Sequence, residues 1–234
     1  MIAGFLSDAH GNPIGLERCL RALEHQGAER IYFLGDAVGY FPEENAVLDL
    51  LRSRQVTCLR GNHEALLLGE LPLSPERDQV YRIADARRRL RPEHREWIEQ
   101  WPDRLEIDVA GHRLLLMHGS PADPLEGYIY PDSDLSPLDG LPFEAVLMGH
   151  THRAFLKNRG GVNIVNAGSC GMPRDAGALA SCATYDAATG AEILRVSFDA
   201  AGLQAKWGDR VHPYAAACLE RRPAKDIAGR MVRV

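Results

Sequence analysis

Five short apolar runs in this chain each end close to a side chain that can bind a metal. Short buried strands in an open α/β sheet present their carboxyl ends to a common crevice, and ligands bind in that crevice. We therefore expect polar residues that lie far apart in the sequence to meet at one site. The five runs are Ile2–Leu6, Ile31–Leu34, Val56–Leu59, Leu114–Met117 and Ala145–Met148.

The start of the chain alternates between apolar strands and amphipathic helices. Asn12 can cap a helix that carries Pro13 in its first turn and ends near Gly27. A second helix is predicted over 43–54, between the second and third apolar runs. This alternation is typical of βαβ units, which form a parallel sheet.

The middle of the chain is predicted to be helical, and most of the rest is predicted to form strands. A single charged helix is expected from Pro75 to Leu90, and another helix begins at Pro92. Alternating apolar residues predict a hairpin over 105–117. Further strands are expected over 145–148, 154–157, 162–165, 179–185 and 192–198, followed by a helix over 213–220.

The number of predicted strands constrains the fold class. About ten strands are many for one open sheet, so two sheets packed face to face and flanked by helices are the simpler solution. No Pro-, Gly- or Ser-rich linker divides the chain. We therefore predict an α/β protein with a single domain over 1–234.

The composition indicates a soluble globular protein. Hydrophobic residues make up 45% of the chain, and the net charge of −5 disfavours nucleic acid as a partner. The five cysteines include no C-x-x-C pair, which indicates free thiols in a reducing compartment. Cys170 lies in a glycine-rich loop and is the thiol whose reactivity should be checked. Because no signal peptide and no apolar stretch of about 18 residues are found, we expect a cytoplasmic protein with no membrane partner.

The apolar runs lead into five short motifs that are rich in Asp, His and Asn and contain five of the nine histidines. If residues 8–10 and 150–152 form extended turns, the outer two residues of each turn point the same way. Carboxylate, imidazole and amide ligands suit two hard-to-borderline divalent cations that share a carboxylate. The motifs are DAH at 8–10, GD at 35–36, GNHE at 61–64, HG at 118–119 and GHTH at 149–152.

This series of motifs resembles that of the calcineurin-like metallophosphoesterase superfamily, from Asp8 to about Arg174. The SDAHGN opening and the NAGSCGMPRD segment are similar to those of its small bacterial and archaeal phosphodiesterase branch. The resemblance implies a four-layer αββα sandwich, with two mixed β-sheets and a dinuclear metal site at the C-terminal strand ends. It also implies a hydrolase that cleaves a phosphoester of a small substrate by attack of a metal-activated hydroxide.

The resemblance further implies a role for each matching residue. Asp36 bridges two metals, while His63 binds no metal and either holds the phosphate or protonates the leaving group. The two divalent metal ions are Mn, Fe, Zn or Ni, which all accept mixed ligands of this kind. The first metal binds Asp8, His10 and His152, and the second binds Asn62, His118 and His150.

Other polar residues flank the motifs and are candidates for supporting roles. Asn12 either reaches a phosphate oxygen or only caps its helix. Arg174 either pairs with a phosphate or is a surface arginine. Glu64 can orient a neighbouring group of the site. The loop at 166–169 either lines the site or forms a turn.

One departure from the family pattern bears on the substrate. Protein phosphatases of the superfamily end the motif around the bridging aspartate with Asp-Arg-Gly, whereas this chain has GDAVGYFP. His63 therefore lacks the aspartate partner of those enzymes. The departure favours a phosphodiesterase over a phosphoprotein phosphatase or an enzyme that acts on dinucleoside polyphosphates.

Two functions of other classes stay open. One eukaryotic branch of the fold has become an interaction scaffold in the retromer coat, and other members of the fold are nucleases. No ligand position is replaced in this chain, which favours the enzyme over the scaffold. The sequence identifies neither the substrate nor the oligomeric state, so a homo-oligomer also stays open.

Overall fold

The computed structural model describes residues 1–223 and 227–234. Their backbone forms eleven β-strands, eight α-helices and two 3-10 helices, the latter at Ser136–Leu138 and Gly208–Arg210. The strands are β1 (Ile2–Leu6), β2 (Ala28–Phe33), β3 (Thr57–Cys58), β4 (Arg104–Val109), β5 (His112–Met117), β6 (Ala145–Met148), β7 (Phe155–Arg159), β8 (Val162–Asn166), β9 (Leu179–Asp186), β10 (Gly190–Ser197) and β11 (Arg230–Met231). The helices are α1 (Pro13–His25), α2 (Glu44–Ser53), α3 (Asn62–Leu68), α4 (Pro75–Tyr81), α5 (Ile83–Arg89), α6 (Pro92–Ile98), α7 (Ala200–Trp207) and α8 (Pro213–Leu219).

The strands form two mixed sheets. The first sheet has the order β11-β10-β9-β1-β2-β3, in which β1, β2 and β3 run parallel. The second sheet has the order β4-β5-β6-β8-β7, in which β5, β6 and β8 run parallel. All five sequence motifs follow strands of these parallel sets, namely β1, β2, β3, β5 and β6.

Apolar side chains fill the space between the two sheets. Side chains alternate along β1, so that Ala3 and Phe5 pack against the second sheet while Leu6 packs against the helices. Leu116 and Leu147 of the second sheet meet Phe5 in the same buried cluster. Each fully buried side chain of this size contributes about 1.5–3 kcal/mol to folding, so this interface is a main source of stability.

Helices cover the outer face of the first sheet. Leu16, Leu20 and Leu23 lie on the buried face of α1. Gly4 of β1 lets this helix approach the sheet, since a Cβ at that position would lie 3.0 Å from the Leu23 side chain. The predicted arrangement of two mixed sheets flanked by helices is confirmed.

The outer face of the second sheet has a thinner cover. Leu135, Leu138 and Phe143 pack there against Val146 and Ile164. These residues come from a connecting segment whose regular structure is one 3-10 helix, Ser136–Leu138. This segment, with its 3-10 helix, therefore forms the fourth layer of the sandwich.

The charged segment 75–90 forms two helices, so the single helix predicted there is wrong. Arg82 separates α4 from α5 and has a φ of 60°, which ends a right-handed helix. The carbonyl of Tyr81 accepts a hydrogen bond from the amide of Tyr40 at 2.6 Å. The carboxylate of Asp78 accepts another from the start of α5 at 2.8 Å. Tertiary and capping contacts thus override the helical pattern.

Other elements differ from the sequence prediction in extent. The third strand of the first sheet covers only Thr57–Cys58, which is shorter than the predicted 56–59. Helices α3 and α7 and strand β11 were not predicted. Among the described residues, none of the helices is long and apolar enough to cross a membrane.

Candidate metal centre

The loops that follow β1 and β2 run side by side into a buried crevice. The amide of Asp8 donates to the carbonyl of Gly35 at 2.9 Å, and the amide of His10 donates to the carbonyl of Asp36 at 2.9 Å. These bonds continue the parallel pairing of the two strands beyond their ends. They bring the side chains of Asp8, His10 and Asp36, all of them buried, to one place.

Several candidate ligands have a left-handed backbone conformation, with φ between 50° and 66°. This conformation is uncommon for residues other than glycine and costs about 1–3 kcal/mol at each position. Such residues persist where the surrounding structure holds them, and they cluster at functional sites. The extended turns assumed for residues 8–10 and 150–152 are therefore wrong, although the outer residues of both turns still face the same crevice. The residues concerned are Asp8, His10, Asp36, His150 and His152.

Two glycines allow the loops of the site to approach one another. A Cβ on Gly61 would lie 2.1 Å from Oδ1 of Asp36, and a Cβ on Gly149 would lie 2.6 Å from Oδ2 of Asp8. Any side chain at either position would push the carboxylate away. The amide of His150 donates to Oδ2 of Asp8 at 3.0 Å, so this carboxylate also joins the two sheets.

The side chains converge in two groups of three, and within each group the ligand atoms lie within 4.8 Å of one another. Asp36 belongs to the second group and also lies close to the first. Its Oδ2 is 3.3 Å from Nε2 of His118 in one group and 3.6 Å from Nε2 of His10 in the other. The groups are Asp8 with His10 and His152, and Asp36 with His118 and His150.

Backbone carbonyls fix the orientation of three of these imidazoles. A carbonyl oxygen only accepts hydrogen bonds, so each Nδ1 carries a proton, and the neutral form of each ring presents the lone pair of Nε2 to the crevice. No side-chain motif marks these carbonyls, so they could not be predicted from the sequence. The contacts are His10 Nδ1 with Val38 O at 3.1 Å, His118 Nδ1 with Leu34 O at 2.8 Å, and His152 Nδ1 with Met172 O at 2.7 Å.

The spacing of the imidazole nitrogens fits a shared cation. Nε2 of His10 lies 3.0 Å from Nε2 of His152, and Nε2 of His118 lies 3.0 Å from Nδ1 of His150. When two nitrogens bind the same ion at about 2.1 Å and the angle between the two bonds is a right angle, the nitrogens are about 3.0 Å apart. In the first pair the carbonyl contacts leave both nitrogens without a proton, so a cation between them removes the repulsion of their lone pairs.

Two buried oxygens lack a partner in the same region. Oδ1 of Asp8 and Oδ1 of Asn62 are buried and accept no hydrogen bond from any described residue. An unsatisfied buried acceptor costs about 1–3 kcal/mol, and a coordinated cation satisfies it. The donor set near these two oxygens therefore fits divalent cations.

Neighbouring charged groups in the site shift one another's pKa values. Burial raises the pKa of Asp36, but His118 and His63 lower it by a larger amount, so the pKa lies well below its usual range. Burial lowers the pKa of His118, but the carboxylate of Asp36 raises it more, to about 9. Burial and the charge of His118 lower the pKa of His150 to about 3. His150 is thus neutral at pH 7, which is the form of imidazole that binds a cation.

A model of the calcineurin-like phosphoesterase superfamily domain matches residues 1–190. The chain belongs to the calcineurin-like phosphoesterase superfamily. The predicted family is thereby confirmed. Members of this superfamily depend on divalent metals, in agreement with the candidate ligand groups described above.

Proteins similar to this superfamily member include ones from archaea and bacteria. It is 27% identical over 214 residues to an uncharacterized protein of Methanocaldococcus jannaschii, covering 83% of this chain and 86% of the relative. Its fold is similar to that of a hypothetical protein from Pyrococcus horikoshii, with a TM-score of 0.82, 20% identity and 99% of both chains covered. It is also similar to a metallophosphoesterase from Sphaerobacter thermophilus, with a TM-score of 0.74, 26% identity, and 94% of this chain and 98% of that one covered.

In this phosphoesterase fold, His63 lies beside Asp36 at the start of α3. Its Nε2 is 3.9 Å from Oδ2 of Asp36, and its Nδ1 is 3.1 Å from the carbonyl oxygen of Val38. A backbone carbonyl therefore takes the place of the aspartate partner that the sequence lacks. His63 also forms a third group of candidate ligands with His10 and Asp36. Burial lowers the pKa of His63 to about 3.

Glu64 holds the loop of the central aspartate from behind. Its carboxylate accepts hydrogen bonds from the amides of Asp36 at 2.7 Å, Ala37 at 2.8 Å and Gly61 at 2.8 Å. The residue is fully buried and, chiefly because of that burial, its pKa is raised to about 7. Glu64 thus joins the loops after β2 and β3 and positions Asp36.

The polar loop at 166–169 forms a support under the ligand loops. Oγ of Ser169 donates to the carbonyl of Asp8 at 2.7 Å. Nδ2 of Asn166 donates to the carbonyl of Gly149 at 2.6 Å. Both residues are fully buried, so the loop positions its neighbours and does not line the surface of the site.

Two residues that the sequence singled out are fully buried. Asn12 accepts hydrogen bonds at Oδ1 from the amides of Ile14 and Gly15, and its Nδ2 donates to the carbonyl of Gly171. These contacts are those of a helix cap, and a contact between Asn12 and a phosphate stays a prediction. Cys170 is also fully buried, and burial raises the pKa of its thiol well above the usual range, which disfavours a reactive thiolate.

Arg174 lies next to the site and is partly buried, so it is not the exposed surface arginine of the second alternative. Its backbone amide donates to the carbonyl of His152 at 3.0 Å, and its Nη2 donates to the hydroxyl of Tyr40 at 3.2 Å. The ring of Tyr40 stacks on that of His63 with 5.1 Å between centroids. Sequence reasoning missed this tyrosine, which follows the GD motif by only a few residues.

Proposed function

We propose that this chain is a metal-dependent hydrolase that cleaves a phosphoester of a small substrate, with a phosphodiester favoured over a phosphoprotein. The position of Asp36 carries the proposal. One carboxylate oxygen, Oδ2, lies 3.6 Å from His10 of the first group and 3.3 Å from His118 of the second. A carboxylate shared by two cation sites is what a two-metal hydrolase requires.

Two divalent cations would be held by residues from both sheets. When bound, such ions lower the pKa of a coordinated water and neutralise charge on the phosphate oxygens. Mn, Fe, Zn and Ni all fit the mixture of carboxylate, imidazole and amide ligands. The proposed ligands are Asp8, His10 and His152 for one ion, Asn62, His118 and His150 for the other, and Asp36 for both.

His63 would act on the substrate. The carbonyl of Val38 fixes its Nδ1 at 3.1 Å, so its Nε2 faces the crevice beside Asp36. Burial keeps the imidazole of the free protein neutral, and the negative charge of a bound phosphate would raise its pKa. Once protonated, Nε2 would donate either to a phosphate oxygen or to the leaving oxygen of the ester. The ring is buried under Tyr40, which excludes water from its far side.

The two alternative functions have less support. A pure interaction scaffold does not need a complete ligand set, yet all seven proposed ligands are buried around one crevice. A nuclease that binds DNA through its backbone needs a basic surface, and the chain has a net charge of −5.

The direct test is hydrolysis of bis(p-nitrophenyl) phosphate by the purified chain with added Mn²⁺. We expect turnover that EDTA abolishes and that Asp36→Asn lowers by more than about 100-fold, beyond the usual loss from residues that only support a ligand. His25→Ala, which changes an exposed histidine far from the crevice in α1, should match the wild type. Absence of turnover on both monoesters and diesters, in a sample shown to contain metal, would refute the proposal.

A further inference from the structure

A cleft of about 520 Å³ opens beside the metal centre. This volume lies within the range of about 300–1,000 Å³ that is usual for small-molecule sites. Four of the seven tyrosines of the chain line it, although they come from four separate segments. The residues on which the inference depends are Tyr40, Tyr81, Tyr128, Tyr214 and Arg174.

The cleft touches both groups of candidate ligands. The ring of Tyr40 meets that of His10 edge to face, with 4.8 Å between centroids. The ring of Tyr128 lies over that of His150, with 4.0 Å between centroids. A molecule in the cleft is therefore next to any phosphate group held at the metal centre.

The aromatic lining combines a fixed wall with exposed rings. Tyr40 packs against Tyr81 at 5.2 Å between centroids, and both rings pack against His63. In contrast, Tyr128 is 53% exposed and Tyr214 is 41% exposed. Exposed aromatic rings grouped around a cavity mark a binding surface for a ligand with its own flat, apolar group.

Arg174 supplies an unneutralised positive charge to the cleft. Among the described residues no carboxylate forms an ion pair with it, and its Nε has no hydrogen-bond partner. The neighbouring carboxylate of Asp175 is occupied by Arg195, whose Nη1 donates to it at 3.1 Å. A mostly buried guanidinium without an anionic partner is costly, and a phosphate oxygen is a suitable partner.

We propose that this cleft selects phosphoesters that carry a planar aromatic group, and that nucleoside phosphates are the class it fits. Arg174 binds an oxygen of the phosphate, and the rings of Tyr128 and Tyr214 stack on the base. The inference rests on the proposed function, because the phosphate must lie at the metal centre for the base to reach the cleft. The aromatic lining of the cleft would then distinguish one small phosphoester from another.

The test compares two ligands that share a ribose phosphate and differ only in the base. AMP and ribose 5-phosphate are titrated into the Mn²⁺-loaded chain by calorimetry, and each sample is assayed for released phosphate so that binding is separated from turnover. We expect AMP to bind at least about tenfold more tightly, because stacking on an aromatic side chain is worth that much or more for each base. Saturation-transfer NMR should place the base protons, and not only the ribose, against the protein.

Variants at the exposed rings localise the effect. Tyr128→Ala and Tyr214→Ala should each weaken AMP binding about tenfold and leave ribose 5-phosphate binding within about twofold, while the Phe variants retain the preference. Arg174→Ala should weaken both ligands equally. Leu156→Ala, which removes another exposed apolar side chain on β7, should change neither. Thermal unfolding of each variant shows whether it is folded.

Equal affinities for AMP and ribose 5-phosphate, or hexyl phosphate binding as tightly as AMP, would overturn the inference. So would a Tyr128→Ala variant that is folded and keeps the full preference for AMP. If these results appear while phosphoester turnover persists, the cleft assignment fails and the proposed function stands. If the chain prefers AMP but hydrolyses no phosphoester, the cleft assignment stands and the proposed function fails.

Discussion

The imidazole of His63 is oriented by a carbonyl group. Val38 O lies 3.1 Å from Nδ1 of His63 and also 3.1 Å from Nδ1 of His10. One peptide group thus sets the position of a proposed metal ligand and of the residue proposed to act on the substrate. A neutral carbonyl supports a protonated imidazole less strongly than a carboxylate does. His63 is therefore expected to contribute more by placement than by charge.

Replacing His63 separates its role from that of the ligands. We expect His63→Ala to lower kcat about 10²–10⁴-fold, the usual range for losing a general acid, while the metal content stays that of the wild type. Elemental analysis and kinetics on the same sample measure both quantities. An unchanged kcat would remove His63 from the mechanism, and loss of metal would make it a ligand.

Glu64 is predicted to stabilise the fold through the buried amides that it binds. Glu64→Ala leaves the buried amides of Asp36, Ala37 and Gly61 without their acceptor, so we expect the free energy of unfolding to fall by about 3 kcal/mol or more. Glu64→Gln keeps an acceptor oxygen and should lose less. Urea unfolding measures the change.

The matched control for Glu64 is Glu70, which is 48% exposed and pairs with Arg60 on the surface. Glu70→Ala should cost less than about 1 kcal/mol, as is usual for an exposed ion pair. Equal losses for the Glu64→Ala and Glu70→Ala variants would contradict the account of Glu64 as the support of the Asp36 loop.

Among the elements, α4 and α5 are where sequence and structure differ most. After Pro75, the segment 75–90 contains no Gly or Pro that would indicate a break, and it has the composition of one helix. The break depends on contacts with residues outside the segment, including the hydrogen bond from the amide of Tyr40 to Tyr81. It brings Tyr81 against His63 in the aromatic wall of the cleft.

A pair of glycine substitutions tests the backbone at this break. Arg82 and Arg88 both pair with Asp85, but only Arg82 has a positive φ. Arg88→Gly places glycine inside α5 and should destabilise the fold by about 0.5–1 kcal/mol. Arg82→Gly also loses an ion pair with Asp85, but glycine adopts the left-handed conformation without strain. The free energy of unfolding of this variant should therefore be equal to or above that of the wild type. A larger loss for Arg82→Gly in thermal or urea unfolding would contradict the assigned conformation.

The strands that carry the site were easier to predict than the backbone conformation of the loops that follow them. Strands such as β1 and β6 are short apolar runs, so the sequence indicates where they end and which motifs follow. The left-handed conformations of Asp8 and His150 and the carbonyl partners of the imidazoles depend on tertiary contacts and leave no side-chain pattern. The tyrosine cleft was missed for the same reason, since its rings come from segments that share no motif.

At the scale of the whole molecule, the proposed metal centre joins the two sheets. Asp8 and Asp36 follow strands of the first sheet, whereas His118 and His150 follow strands of the second. Each proposed ion is bound by ligands from both sheets, so it would act as a crosslink at the edge where they meet. This convergence was predictable from the strand order of an α/β fold, because the carboxyl ends of parallel strands face one crevice.

Metal binding should therefore raise the stability of the entire fold. A cation that binds the folded chain and not the unfolded chain adds about 2.7 kcal/mol when its free concentration is 100 times the Kd. We expect the unfolding temperature to rise with added Mn²⁺ and to fall with EDTA, and we expect Asp36→Asn to lose most of this dependence. Differential scanning calorimetry checks it, and a metal-independent unfolding temperature would contradict the crosslink.

Anomalous diffraction from crystals grown with Mn²⁺ would locate the proposed ions. We expect two manganese peaks for each chain, one on either side of the Asp36 carboxylate, with His152 beside the first peak and Asn62 beside the second. A single peak, or peaks that lie outside bonding distance of Asp36, would contradict the proposed metal centre.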